Sequence, residues 1–378
     1  MLFKDVVAQD EVKDFLRKAI TSRRLPHALL FLGETGKGTL SMALALAQYI
    51  LCENRADIDA CGVCNHCHKA GKYIHPDIHF TYPTIGSKMT SGDLLPEWRK
   101  FLGQGSYQNV QEWYAAIDGE NKQGNITKSE CDRILKILSL KTFEGSHKIL
   151  IIWMAEFLGA QGNRLLKILE EPPENTHFIL IAERQDELLN TILSRCQIIS
   201  FRPVPDPAIA RYLMETSVTD RNTATQIAYL SEGNIIEAMT LSQHTNEKIT
   251  DLWIEWMRIA YKGYGLEVNP WVDAFSKLNR ESQKAFMHFG LHFLRELLLF
   301  KVDNSHTIRL LEREKKALIK MSDIINSDTI NKIIDMIEQN VFHLERNINS
   351  KILLLDNSIR IHYLLRNQKQ QLSAVLSV

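Results

Sequence analysis

The segment HALLFLGETGKGTL, residues 27–40, decides the fold. Its apolar run, residues 28–32, has the length and character of a strand that is covered on both faces. The glycines at 33, 36 and 38 let the backbone turn so that its N–H groups face an anion, and a helical pattern starts at Thr39. A strand, a glycine-rich turn and a helix in this order are typical of a phosphate-binding loop.

Two further apolar runs, residues 148–153 and 177–182, are predicted to be buried strands. Helical patterns cover residues 39–51, 163–171 and 186–193, and two prolines directly after residue 171 end the second pattern. Strands that alternate with helices predict an α/β domain over residues 1–202, with a parallel sheet and helices on both faces.

Residues 81–125 interrupt the alternation and are predicted to be an insertion, because the stretch is too long for a simple connection. It holds one predicted helix, residues 95–102, and three aromatic residues without an assigned role: Tyr107, Trp113 and Tyr114. Three prolines between residues 203 and 207 then form a stiff linker. Strand patterns disappear after it, so a small helical domain is expected at 203–244 and an all-α domain at 245–378.

Composition excludes several classes of protein. Of 378 residues, 45% are apolar and 24% are charged, which excludes a mostly disordered chain. Forty-five basic residues balance 45 acidic ones, which argues against nucleic-acid binding by bulk electrostatics. The sequence offers neither an apolar run long enough to span a bilayer nor a signal-like N-terminus, so a cytoplasmic protein without membrane contact is expected.

An active ATP site needs a lysine and then Ser or Thr directly after the last glycine of the loop. Those positions hold Thr39 and Leu40, and Lys37 stands two residues too early. The second strand ends in Ile152 and Trp153, where active ATPases of this class place an acid. The loop is either a nucleotide site or a retained fold that binds nothing, and the two losses favour the second interpretation. The segment concerned comprises Gly33, Gly36, Lys37, Gly38 and Thr39.

Four cysteines within sixteen positions predict a zinc site: Cys52, Cys61, Cys64 and Cys67. Four thiolates complete the tetrahedral shell of Zn²⁺ and leave no position for water, so one structural ion per chain is expected. The alternative is a chance cluster of buried thiols. Three neighbouring histidines would be surplus to such a site and are expected to be exposed: His66, His68 and His75.

The order of four segments resembles the bacterial DNA polymerase III clamp-loader subunits of the AAA+ superfamily. The segments are residues 27–33, the cysteine cluster, LLKILEEPP at 165–173, and Ser194-Arg195-Cys196. The resemblance covers residues 1 to about 240. It implies an AAA+ α/β module with a zinc insert at 52–67, a small helical lid, and an all-α collar that joins the subunits of a ring. A plain helical bundle is the alternative for the last part.

Within that family, the sequence resembles the delta-prime type, a stator, more than the gamma/tau motor type. Alignment on LLKILEEPP places the family's metal-binding Asp-Glu pair on Ile152 and Trp153. The polar sensor falls around Ala182 and Glu183, and the second-sensor arginine falls on Ile236. The resemblance therefore implies a subunit that is not itself an enzyme and that has lost the residues that handle ATP.

Arg195 alone would be interpreted as a solvated residue or as one half of an ion pair. The resemblance instead implies an arginine finger, which acts in trans on the γ-phosphate held by a neighbouring motor subunit. The implied partners are motor subunits of the gamma/tau type and the delta subunit. The complex as a whole would load the sliding clamp onto primer–template DNA.

Two other functions compete with this interpretation. The first is a motor-type AAA+ ATPase in which Lys37 substitutes for the missing lysine. The second is a zinc-bearing nucleic-acid-binding module, which would need basic and aromatic residues around the cysteines. Residues 61–73 offer only Lys69, Lys72 and Tyr73 for that purpose.

Overall fold

The computed structural model describes residues 1–105, 107–119, 122, 124–217, 219–244, 248–263, 265–303, 305–345 and 348–375. Within them the chain forms a five-stranded parallel sheet in the order β2-β3-β4-β1-β5. The strands are β1 (Ala28–Leu32), β2 (Ile78–Thr81), β3 (Lys148–Trp153), β4 (Thr176–Ala182) and β5 (Gln197–Ser200). The glycine-rich loop therefore leaves the carboxyl end of an inner strand.

The described residues also form α-helices in both parts of the chain. They are α1 (Asp10–Thr21), α2 (Thr39–Leu51), α3 (Asn65–Gly71), α4 (Leu95–Gln104), α5 (Val110–Ala116), α6 (Lys128–Ser139), α7 (Leu166–Glu170), α8 (Asn190–Leu193), α9 (Asp206–Thr216), α10 (Arg221–Leu230), α11 (Ile235–His244), α12 (Lys248–Lys262), α13 (Gly265–Ser276), α14 (Arg280–Val302), α15 (Glu312–Ser322), α16 (Ser327–Glu345) and α17 (Ser350–Val375).

The sheet is buried on both faces, which explains the unbroken apolar runs of its inner strands. Side chains of a strand alternate between the two faces of the sheet. Leu29 and Phe31 of β1 pack in the same core as α2, whereas Leu30 packs in the core that includes Ile134 of α6. Helix α2 is buried along its whole length. The predicted bounds of β1, β3 and α2 are confirmed.

Other predicted elements differ from the structure in their bounds. Strand β4 begins one residue earlier than predicted, at Thr176. The predicted helix 163–171 is a 3-10 helix (Ala155–Leu165) that continues into α7, and the predicted helix 186–193 is a 3-10 turn followed by α8. Strands β2 and β5 were not predicted, because each has only four residues and polar side chains interrupt its apolar pattern.

The insertion folds onto the sheet through a cluster of aromatic rings. Trp98 of α4 stacks on Tyr82 with 4.1 Å between ring centroids, and it contacts Trp113 of α5 and Trp153 of β3 at 5.2 Å each. The Trp113 indole donates a hydrogen bond to the Pro83 carbonyl (2.7 Å). The insertion is therefore part of the α/β core rather than a separate lobe.

The chain divides into two compact units, residues 1–208 with 233–237, and residues 209–232 with 238–378. In the second unit, Trp253, Trp256, Trp271 and Phe286 form an aromatic core. The division into a lid at 203–244 and a collar from 245 stays a prediction, and residue 245 itself lies outside the described residues. In the described part of the chain, none of the helices combines the length and apolarity needed to cross a bilayer.

Replacement of Trp98 by Ala is expected to lower the free energy of unfolding of the first unit by about 3–5 kcal/mol, because the removed indole is fully buried and leaves a cavity. Phe143→Ala is the control, since Phe143 is 81% exposed and its removal should change that energy by no more than about 0.5 kcal/mol. Urea denaturation followed by tryptophan fluorescence measures both. Equal losses of unfolding free energy in the two variants would contradict the structural role of the aromatic cluster.

Candidate functional site

The glycine-rich loop keeps the backbone form of a phosphate-binding loop. Gly36 and Gly38 have φ values of 87° and 88°, in the region that favours glycine. Gly36 also touches Asn234, whose Oδ1 would lie 1.7 Å from a Cβ at position 36. That same oxygen accepts hydrogen bonds from the N–H groups of Ile236 and Glu237 at 2.9 and 3.1 Å, so it caps helix α11. The loop is therefore held against the segment that follows residue 233.

Lys37 is engaged inside the loop. Its Nζ lies 3.0 Å from Glu34 Oε2, and its side chain is only 15% exposed. The Gln9 amide donates to the Lys37 carbonyl at 3.1 Å. Lys37 therefore lies two residues before the position of the missing phosphate-binding lysine and pairs with a residue of its own loop.

Apolar and aromatic side chains fill the space beside the loop. About 20 Å³ remain there, which is room for about one water molecule and far too little for a triphosphate. Trp153, Leu40 and Ile236 line this space, and each is buried. Tyr107 of the insertion lines it too, and its hydroxyl lies 3.3 Å from the position of a Cβ on Gly38. Tyr107 thus has a role that the sequence did not reveal.

A carboxylate also lines this space. Burial raises the pKa of Glu183, and a hydrogen bond to the Thr35 backbone of the loop opposes that increase. The Glu183 N–H in turn donates to Glu156 Oε1 at 3.1 Å, and burial raises the pKa of Glu156 as well. A carboxyl in this space is a poor neighbour for a polyanion, because its ionised form would repel the phosphate charges at short range.

The four cysteines of the predicted zinc site come together. All four sulfurs lie within 4.8 Å of one another, and the Cys61 and Cys67 sulfurs are 3.9 Å apart. Tetrahedral Zn–S bonds of about 2.3 Å place sulfurs about 3.8 Å apart, so the cluster fits one zinc ion. Cys52 follows α2 directly and Cys67 lies in α3, so such an ion would tie these two helices together.

Backbone N–H groups and burial shift the pKa values of these thiols in opposite directions. Hydrogen bonds from the Val63 and Cys64 backbones lower the pKa of Cys61 to about 6. Burial raises the pKa of Cys52 and of Cys67. The backbone N–H groups therefore favour the thiolate of Cys61, and zinc binding must release protons from the buried thiols.

Two of the three neighbouring histidines are not exposed, so that expectation was wrong. His75 is 3% exposed, and His66 is half-buried, with its Nδ1 2.7 Å from His75 Nε2. His68 is exposed as expected. His75 is buried next to the start of β2, where the Asp77 N–H donates to its Nδ1 at 3.1 Å. Detecting this required knowledge of β2, which the sequence did not provide.

Arg195 is one half of an ion pair. Its Nε donates to Glu170 Oε1 at 2.7 Å, and its Nη2 contacts the same oxygen. Its Nη1 donates to the Thr191 carbonyl at 2.6 Å and to Ser194 Oγ at 3.2 Å. The side chain remains 28% exposed, so the guanidinium lies at the surface of the first unit.

Comparison with known proteins identifies the family. The family model described as DNA polymerase III, delta subunit, matches residues 8–205, just over half of the chain. The chain belongs to this family. The delta-prime subunit of Bacillus subtilis is 30% identical over 237 residues, which are 62% of this chain and 60% of that protein. The delta-prime subunit of Escherichia coli is 24% identical over 283 residues, which are 74% of this chain and 71% of that protein.

Tau subunits also match this chain, and the match covers a smaller share of their length. The tau subunit of Escherichia coli is 27% identical over 248 residues, which are 64% of this chain but only 32% of tau. The predicted membership among the clamp-loader subunits of delta-prime type is confirmed. The predicted α/β fold class of the first unit, a parallel sheet with helices and a cysteine cluster that fits zinc, is confirmed as well.

Substitution of Cys64 by Ser is expected to remove one tightly bound zinc ion per chain and to lower the melting temperature, because α2 and α3 lose their shared ligand. Cys131→Ser is the control, since Cys131 lies outside the cluster. Metal analysis by mass spectrometry and thermal unfolding measure the two effects. Wild-type protein that carries no zinc after purification in metal-replete medium would contradict the assignment.

Proposed function

We propose that this chain is the stator of a DNA polymerase III clamp loader: it binds no ATP and supplies Arg195 to the ATP site of a neighbouring motor subunit. The observation that carries this proposal is the contrast between two places in the first unit. Bulky and acidic side chains occupy the space beside the phosphate loop, which retains about 20 Å³. Arg195, in contrast, lies at the surface with a charged and partly exposed guanidinium.

The chemistry of an arginine in trans follows from its charge and shape. Phosphoryl transfer develops negative charge on the oxygens of the γ-phosphate, and a planar guanidinium binds two of them at once. An arginine finger contributes about 10³- to 10⁵-fold in rate to the site that it serves. Arg195 would therefore assist hydrolysis in a site whose nucleotide belongs to another subunit.

The proposed partners are motor subunits of the gamma/tau type on one side and the delta subunit on the other. The ring would use ATP to place the sliding clamp on primer–template DNA. The balanced charge of the chain, 45 basic against 45 acidic residues, supports a minor role for its own DNA contacts. The zinc ion would be structural, because four thiolates leave no open coordination position.

Isothermal titration of the purified chain with Mg-ATP is expected to give no binding, and the same sample is expected to give no hydrolysis. Trp153 and Tyr107 occupy space that the phosphates would need, and an ionised Glu183 would repel their negative charge. The Lys37→Ala variant is the matched test of the competing motor function and should behave like the wild type, since Lys37 is paired with Glu34. ATP binding with turnover that depends on Lys37 would replace the stator proposal with the motor one.

Replacement of Arg195 by Ala is expected to slow hydrolysis at one motor site by about 10³-fold, so that the reconstituted complex loses that site's share of its clamp- and DNA-stimulated ATPase. Arg195→Lys keeps the positive charge but not the planar guanidinium, so it should recover little of the lost ATPase activity. Arg164→Ala, at another ion-paired surface arginine, is the control. Steady-state ATPase of complexes with equal subunit content measures the effect, and full activity of Arg195→Ala would disprove the finger.

A further inference from the structure

The guanidinium of Arg195 has already committed most of its donors within its own chain. One carboxylate oxygen of Glu170 accepts hydrogen bonds from Nε and Nη2. The Thr191 carbonyl and Ser194 Oγ accept hydrogen bonds from Nη1. An arginine carries five N–H groups in a fixed plane, so at most one remains for an outside ligand. In this conformation Arg195 cannot bind two oxygens of a phosphate.

The backbone around Arg195 is fixed, so any change of partner must be made by the side chain. The Arg195 N–H donates to the Ile192 carbonyl at 3.0 Å, and the Cys196 N–H donates to the Leu193 carbonyl at 3.3 Å. The backbone of Glu170 is also fixed, because Glu170 is the last residue of α7 and two prolines follow closely. The two side chains are 28% and 49% exposed, which makes their ion pair accessible to water and to a competing anion.

We propose that Glu170 is a positioning residue that holds Arg195 in a docked conformation and releases it to the phosphate of a neighbouring subunit's nucleotide. This inference rests on the proposed arginine finger. The exchange replaces one carboxylate by a γ-phosphate that carries more negative charge and offers two oxygens to the guanidinium. Glu170 therefore sets how large a fraction of Arg195 is free to act before the neighbour has bound ATP.

A double-mutant cycle in the reconstituted complex tests this role. Glu170→Gln keeps the size of the side chain and removes its charge. It is expected to raise kcat/KM for ATP by roughly two- to fivefold, the range in which exposed ion pairs contribute. In the Arg195→Ala background the same substitution is expected to change nothing, because there is no guanidinium left to release. Glu171→Gln, at the adjacent exposed acid, is the matched control and should behave like the wild type.

The outcomes separate the two proposals. If Arg195→Ala lowers the ATPase and Glu170→Gln raises it only while Arg195 is present, the docking role is supported. If Glu170→Gln lowers kcat/KM or changes nothing while Arg195→Ala lowers it, the docking role is disproved and the finger stands. If Glu170→Gln has the same effect with and without Arg195, Glu170 acts on the fold and the docking role is disproved. An unaffected Arg195→Ala complex disproves the finger, and the docking role falls with it.

Discussion

The contact between Trp153 and Trp98 is the constraint on which much of the first unit depends. Trp153 ends β3, and its ring lies 5.2 Å from that of Trp98 in the insertion. Trp153 thus provides a packing surface for α4, whose Trp98 and Phe101 rings both contact it. The insertion in turn brings Tyr107 to the phosphate loop, where the Tyr107 hydroxyl also accepts the Val7 N–H at 2.8 Å.

The first unit therefore has two regions of opposite character. Around the loop, side chains such as Leu40 and Trp153 are buried and packed as in any protein core. Around Arg195, the groups are charged, partly exposed and held by interactions that water screens. The proposed role requires this contrast between a loop that is closed to nucleotide and an arginine that a neighbouring subunit can reach.

Sequence reasoning predicted the parts of this structure that local chemistry determines. The inner strands β1 and β3 were predicted to the residue because both faces are covered and the apolar runs are continuous. The four cysteines were predicted as a cluster because C-x-x-C spacing itself places two sulfurs on one ion. Strands β2 and β5 carry His79 and Gln197, which break the pattern, so they were missed. The burial of His75 and the positions of Tyr107 and Glu170 depend on contacts between residues far apart in sequence, which periodicity does not reveal.

The closed loop has a consequence for how such a chain can change over evolutionary time. Trp153, Leu40, Ile236, Tyr107 and Glu183 all line the same 20 Å³. An acid introduced at position 153 would be buried without a metal ion or any other partner, and a lysine introduced at position 39 would meet neighbours that leave it no room. Each step back towards an ATPase costs stability unless the others have already been made. If the loop binds no ATP, as proposed, epistasis among these side chains protects its closed state against reversal.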